Sequence, residues 1–242
     1  MNPYFYEGIA MKFLLVCDLD ETLIGDKEGI MEFNAIVFSN KERFYLVYSS
    51  GRFKTSMISV IEKEKLIQPN AIVSNIGTEI YYAPNWDIDE KWKRIISKNW
   101  AKERAASILD KFNLKLQPYK KRFAIPYYTE NEAMVGKIKE ALQGYRVKVV
   151  YTKKQYLDII PENAGKGSAA KYIGNRMNLP IICCGDSEND IDMLKKSKYG
   201  ILVGNAPISL KRELSKCPNI YISNSYYAKG IIEGLESYNI IG

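Results

Sequence analysis

The chain's 242 residues allow one large domain, or a domain carrying an insert. Hydrophobic residues make up 46% and charged residues 26%, an ordinary balance for a soluble globular protein, and no apolar run approaches the roughly 20 residues of a membrane span. The net charge of +7 comes from scattered lysines with no nucleic-acid-binding motif, and the absence of histidine removes Ser-His-Asp, Cys-His, phosphohistidine and His-ligated zinc chemistry.

Residues 1–10 carry no basic segment ahead of an apolar core, so no signal peptide is expected and they read as a short extension before the fold. An apolar run at residues 13–19 then reads as a strand buried on both faces. Similar runs follow at 44–48, 71–74, 181–184 and 200–203, with 220–223 as a sixth. Helical patterns fall at 54–65, 166–177, 188–197, 208–216 and 229–238. This alternation predicts an α/β fold with a doubly wound parallel sheet, Rossmann-like in its layering.

The pattern changes in the middle of the chain. A helix is expected at 101–112, strands at 114–119 and 122–129, a helix at 130–142, and strands at 146–152 and 156–161. That is an α+β pattern with antiparallel character. The expected organisation is a core domain of residues 1–81 and 162–242 with an inserted domain at 82–161. Trp86, Trp92 and Trp100 are expected to pack there rather than to stack on a ligand. Cys17, Cys183, Cys184 and Cys217 show neither a zinc pattern nor a disulfide framework, which points to reduced thiols and a cytoplasmic protein.

Ligand sites in such sheets lie beyond the C-terminal ends of the strands; three groups of residues fall there and a fourth opens a helix. In CDLDETL, Asp18 and Asp20 are two apart on an extended chain and so face the same way. Crowded carboxylates repel unless a cation or a shared proton relieves them, and a hard ion such as Mg²⁺ does so. In CCGDSENDIDML, Asp186 ends a strand and Asp190 lies in the first turn beyond it, where Ser187 or Asn189 can cap. In YSSGR, a strand ends in hydroxyls and a glycine, followed by Arg52, and the small hydroxyls and backbone N–H groups there can hold phosphate oxygens. In NAGKGS, Lys166 opens a helix, where a cation opposes the helix dipole and is poorly placed for stability alone. This lysine segment is not a P-loop, because the spaced upstream glycine is missing.

In this order, the four groups resemble the haloacid dehalogenase-like (HAD) phosphohydrolase superfamily: DxDxT as Asp18, Asp20 and Thr22, a strand-end hydroxyl as Ser50, the lysine as Lys166, and GDxxxD as Asp186 and Asp190. The insert resembles the C2-type cap of the Cof-like branch. SSGR, SNIGTEIYY, YLDIIPENAGKG and GDSENDIDML look most like sucrose-phosphate phosphatases and related sugar phosphatases. The family's TGR is SGR here, which keeps the hydroxyl, and its common SNGA is SNIGTE.

The resemblance implies a Mg²⁺-dependent phosphatase acting on a phosphorylated sugar through an aspartyl-phosphate. Asp18 would be the nucleophile and Asp20 the acid and base. Asp18, the Asp20 carbonyl and Asp186 would hold the metal, with Thr22 and Asp190 supporting. Ser50, Gly51, Lys166 and Asn189 would bind the phosphoryl group. Arg52, Glu79, Lys154 and Asp158 are candidate substrate contacts, with Lys153 and Tyr127 behind them. A phosphomannomutase-like phosphotransferase and a phosphoglycolate phosphatase are the alternatives. The former would need basic cap residues for a second phosphate, and Arg94, Arg104, Arg122 and Arg146 share no motif. A binding protein that kept only the fold is opposed by the intact motif set. A monomer or homodimer with no nucleic-acid or membrane partner is expected.

Overall fold

The computed structural model describes residues 5–6 and 9–242, so the extension expected over residues 1–10 lies partly outside the described residues. The strands begin with β1 (Phe5–Tyr6), β2 (Ile9–Ala10), β3 (Phe13–Asp18), β4 (Phe44–Ser49), β5 (Ala71–Ser74), β6 (Glu79–Tyr82) and β7 (Asp87–Ile88). They continue with β8 (Lys115–Leu116), β9 (Ile125–Tyr128), β10 (Val147–Thr152), β11 (Tyr156–Pro161), β12 (Ile181–Gly185), β13 (Tyr199–Leu202) and β14 (Ile220–Ile222). The chain divides into two compact units, Met1–Ile88 with Lys166–Gly242, and Asp89–Gly165.

In the first unit an eight-stranded sheet runs β14-β13-β12-β3-β4-β5-β6-β7. The pairings from β14 to β5 are parallel, while β6 and β7 return antiparallel. Every residue of β3 is buried, as a central parallel strand covered on both faces requires. Register then sets the site. Asp18 pairs with Ser49, Ser49 with Val73, and Cys184 with Cys17, so four strands end at nearly one level. The core beneath is built from Leu15, Phe33, Leu46, Tyr48, Ile72, Ile182 and Leu235.

Helices cover both faces, as doubly wound sheets require. Helix Lys54–Lys63 follows β4, Lys166–Met177 precedes β12, and Tyr227–Ser237 closes the chain. The 188–197 segment is a 3₁₀ turn, Glu188–Asp190, continued by helix Ile191–Lys196. Helix Lys27–Ser39 does not stand out in the sequence patterning. Its exposed Met31 and Phe38 sit among buried Ile30, Phe33 and Val37, which blurs the apolar stripe. Asp26 caps it through the amides of Glu28 and Gly29.

The second unit is an antiparallel sheet, β10-β11-β9-β8, with helices Glu90–Ser97, Lys102–Leu109 and Glu132–Ala141. Its own core joins Leu109, Ile125, Tyr127, Val135, Ile138, Leu157 and Ile159. The three tryptophans pack: Trp86 against the first unit's core, Trp100 against the second's, and Trp92 is buried. All four cysteines are free thiols. No described helix is long and apolar enough to cross a membrane.

Candidate active site

At the end of β3, Asp18 is 5% exposed and its Oδ1 accepts from Lys166 Nζ at 2.6 Å. Lys166 opens its helix, as the sequence suggests, and is itself buried. The same ammonium donates to Asp190 Oδ1 at 2.7 Å and to Asn189 Oδ1 at 3.0 Å. These ion pairs offset both its burial and the unfavourable helix dipole. Burial alone would lower the Lys166 pKa, but Asp18 and Asp190 more than reverse this and hold the ammonium above its usual value.

Beyond β12, Gly185 lets Asp190 pack against the strand end, since a Cβ there would lie 2.5 Å from the Asp190 Cβ. Asp190 Oδ2 accepts from the amides of Asp186 and Ser187 and from Ser187 Oγ, closing a capping box. Thr22 Oγ1 donates to Asp186 Oδ1 at 2.8 Å, tying the turn after β3 to the loop after β12.

One oxygen each from Asp18, Asp186 and Asp190 lies within 4.8 Å of the others. Burial and the neighbouring carboxylates push Asp18 up to about 8, against the pull of Lys166. Burial and Asp190 push Asp186 up to about 7, against the Thr22 hydroxyl. Held in their ionised form, three carboxylates against one ammonium would leave two negative charges in excess, and the raised values of Asp18 and Asp186 reflect that cost. A buried all-oxygen donor set with that deficit fits a hard divalent cation.

The loop after β4 faces this cluster from the neighbouring strand. Ser50 accepts the Arg52 amide on its Oγ and is 2% exposed. A Cβ on Gly51 would make only an ordinary contact, 3.5 Å from Ile76, so the chain's own packing does not demand glycine there. Arg52 grips Asp20 by both oxygens, Nε to Oδ2 at 2.8 Å and Nη2 to Oδ1 at 2.6 Å. Asp20 and the metal-type cluster are therefore separately held. This clamp is not evident from the motifs, which mark Arg52 only as a substrate contact. The β3–β4 register was the available signal, since it sets Asp20 and Arg52 just past the ends of adjacent strands.

A turn after β5 braces that loop. The amides of Asn75 and Ile76 donate to the carbonyls of Arg52 and Ser50. Asn75, Ile76 and Gly77 are consecutively left-handed, with φ of 50, 60 and 84°. For a β-branched residue such as Ile76 this is strained backbone, of the sort that persists near functional sites. Glu79, one of the sequence candidates, accepts from Ser74 Oγ, Asn75 Nδ2 and Tyr81 OH there.

The remaining candidates lie in the second unit. Asp158, on β11, is buried and paired with Lys121 at 2.7 Å, a partner the motifs do not reveal. Lys154 stands at the tip of the β10–β11 hairpin, 87% exposed and 3.6 Å from Glu132. Lys153 precedes it in the same tip, and Tyr127 is buried in the unit's core.

Comparison with known proteins gives a consistent result. The family model for sucrose-6F-phosphate phosphohydrolase matches residues 11–239. Sucrose-phosphatase 1 of Nicotiana tabacum is 26% identical over 96% of this chain, and the chain spans about 60% of that relative's length. Mannosylfructose-phosphate phosphatase of Agrobacterium fabrum is 24% identical over 94% of this chain and 97% of its own. Among solved structures, the Synechocystis sucrose-phosphatase in complex with sucrose and phosphate superposes with a TM-score of 0.88 at 26% identity, covering 95% of this chain and 98% of that one.

Proposed function

The chain belongs to the sucrose-6F-phosphate phosphohydrolase family, and from that membership we propose that it hydrolyses a disaccharide phosphate monoester through an aspartyl-phosphate on Asp18. The named activities of its relatives point to a sucrose 6-phosphate or a mannosylfructose phosphate. One observation carries the reading: two carboxylates past the end of one strand each have their own cation, Lys166 on Asp18 and Arg52 on Asp20. A nucleophile and a proton carrier need that separation of duties.

In this mechanism Asp18 attacks phosphorus while the bond to the sugar oxygen breaks. Asp20 gives a proton to the departing alkoxide. Asp20 then takes a proton from water, which attacks the aspartyl-phosphate and releases phosphate with Asp18 restored. Lys166, the Ser50 hydroxyl, the Gly51 amide and the Asn189 side chain hold the phosphoryl oxygens as charge spreads over them. We assign Asp18, Asp186 and the Asp20 carbonyl as the residues that hold Mg²⁺. The ion would supply neutralisation of the phosphoryl charge, while Asp18 supplies the attacking oxygen. Asp190 fixes Lys166 and the strand-end amides, and Thr22 orients Asp186.

The second unit is assigned as the cap that selects the sugar, with Asp158 and Lys154 as its candidate contacts; Glu79 is a candidate in the first unit, and Arg52 is assigned there to Asp20. Four free thiols support a cytoplasmic protein. Phosphate release from a panel of disaccharide and hexose phosphates tests the assignment. The expected outcome is Mg²⁺-dependent release that favours a disaccharide phosphate and vanishes in Asp18→Asn. Undiminished release by that variant, or none from any substrate, would overturn it.

A further inference from the structure

The second unit contains a group of cations that the proposed chemistry does not use. A cavity of about 350 Å³ lies where helix Glu132–Ala141 ends and β10 begins, lined by Lys139, Leu142, Gln143, Arg146, Lys148 and Glu162. Its size suits a small metabolite. Val147 and Val149 of β10 also line it and pack against the unit's own core, so it lies along the sheet's edge strand.

Hydrogen-bond donors are in surplus here. Among the described residues, neither Lys139 nor Arg146 has a carboxylate within ion-pair distance, although Glu162 lines the same cavity. Lys148 Nζ is held by the Ala164 carbonyl at 2.7 Å. Arg146 also borders a narrow crevice with Trp100 and Glu162, and the Trp100 indole N–H is buried without an acceptor. β10 is an edge strand, so it adds outward-facing amides. Of the helix's terminal carbonyls, those of Ile138 and Glu140 accept the amides of Leu142 and Gln143, and the cations of Lys139 and Arg146 face the negative end of the helix dipole.

Arg146 is also held in the left-handed region at φ 46°, just after Gly144 at φ 84°. Its carbonyl accepts from the Glu162 amide, which fixes the strained turn in place. Both Arg146 and Lys139 are exposed, so their charged ends are open to a ligand from solvent.

We propose that this cavity is a second anion site, which takes the phosphate group of a small phosphorylated metabolite on Arg146 and Lys139. Arg supplies a planar fork to two oxygens, Lys a point charge to a third, and Glu162 meets a hydroxyl of the remainder. The site consists wholly of residues from the second unit, so it stands whether or not the assigned phosphatase chemistry does.

Amide NMR of the full chain, titrated with inorganic phosphate in the absence of metal, tests this residue by residue. The expected result is saturable movement of the amides of residues 139–149 at millimolar phosphate, separate from any movement at 50–52 and 166. A Lys139→Ala/Arg146→Ala variant should weaken the first response by about tenfold and leave the second unchanged. Glu162→Gln should strengthen the first by about threefold, because it removes the opposing carboxylate. No movement at 139–149, or equal movement with acetate at matched ionic strength, would overturn the site.

Discussion

Arg52 holds Asp20 by both carboxylate oxygens, Nε to Oδ2 at 2.8 Å and Nη2 to Oδ1 at 2.6 Å, just beyond the ends of two registered parallel strands. The Arg52 side chain is anchored on Ser56 Oγ at 3.0 Å, and the strained turn at 75–77 braces its backbone. The fork pairs Asp20 in its ionised form, the form that takes a proton from water, and presents it at a fixed angle. To give a proton to the sugar oxygen first, Asp20 must have one oxygen released. Arg52 is thus a positioning residue for both halves of the assigned reaction.

Arg52→Lys separates charge from geometry. The substitution keeps the cation and loses the fork. Turnover should fall by about tenfold to a hundredfold, the worth of one or two charge-assisted hydrogen bonds, with KM nearly unchanged. A change confined to KM would instead make Arg52 a substrate contact, as the motifs alone suggest.

The acidic cluster predicts how the protein responds to metal. Chelation should abolish phosphate release and added Mg²⁺ restore it, since a cation is what would let Asp18, Asp186 and Asp190 ionise together beside the single ammonium of Lys166. Thr22→Val removes the hydroxyl that orients Asp186. About tenfold more Mg²⁺ should then be needed for half-maximal activity, with turnover at saturating metal largely kept. An unchanged Mg²⁺ requirement would remove Asp186 from the metal site.

The Lys121–Asp158 pair offers a stability test inside the second unit. Their side chains are 7% and 3% exposed, and burial holds the Asp158 carboxyl above its usual range despite Lys121. Lys121→Met strands that carboxyl and should cost about 3 kcal/mol in urea melts followed through Trp92 and Trp100. Replacing both members with apolar residues should recover most of the loss. If the single and double variants are equally destabilised, the pair is not coupled.

Much of the first unit can be read from its sequence because parallel strands buried on both faces are continuous apolar runs, as in FLLVC and IICC. The site's main residues are legible for a related reason: Asp18, Ser50 and Asp186 come at the ends of such runs and Lys166 opens a helix, places where a carboxylate or lysine has no packing role. Four parts are not legible. Helix Lys27–Ser39 is hidden because Met31 and Phe38 remain exposed. The Arg52–Asp20 clamp depends on strand register, and the Lys121–Asp158 pair joins residues 37 apart, so neither leaves a local pattern. Helix Glu90–Ser97 is short and largely charged, and tertiary packing of Trp92 and Ile96 selects it.

The last prediction concerns acid stability, and it turns on Glu233 in the closing helix. Its carboxylate accepts the amides of Asn224 and Ser225 and the Tyr221 hydroxyl, pinning the loop after β14 to helix Tyr227–Ser237. Burial would raise this group, but those donors outweigh it and hold Glu233 at about 2, below its ordinary 4.5. A carboxyl depressed on folding binds its proton more readily in the unfolded chain. Its contribution is therefore complete above about pH 4.5 and is lost as pH falls toward 2. Glu233→Gln should lower Tm at pH 6 by a few degrees, about 1 kcal/mol after allowance for solvent screening. The gap between variant and wild type should then narrow steadily in melts taken from about pH 5 down to about pH 3, because the wild type loses what the variant never had. A gap that stays constant with pH would show that Glu233 acts through its shape and not its charge.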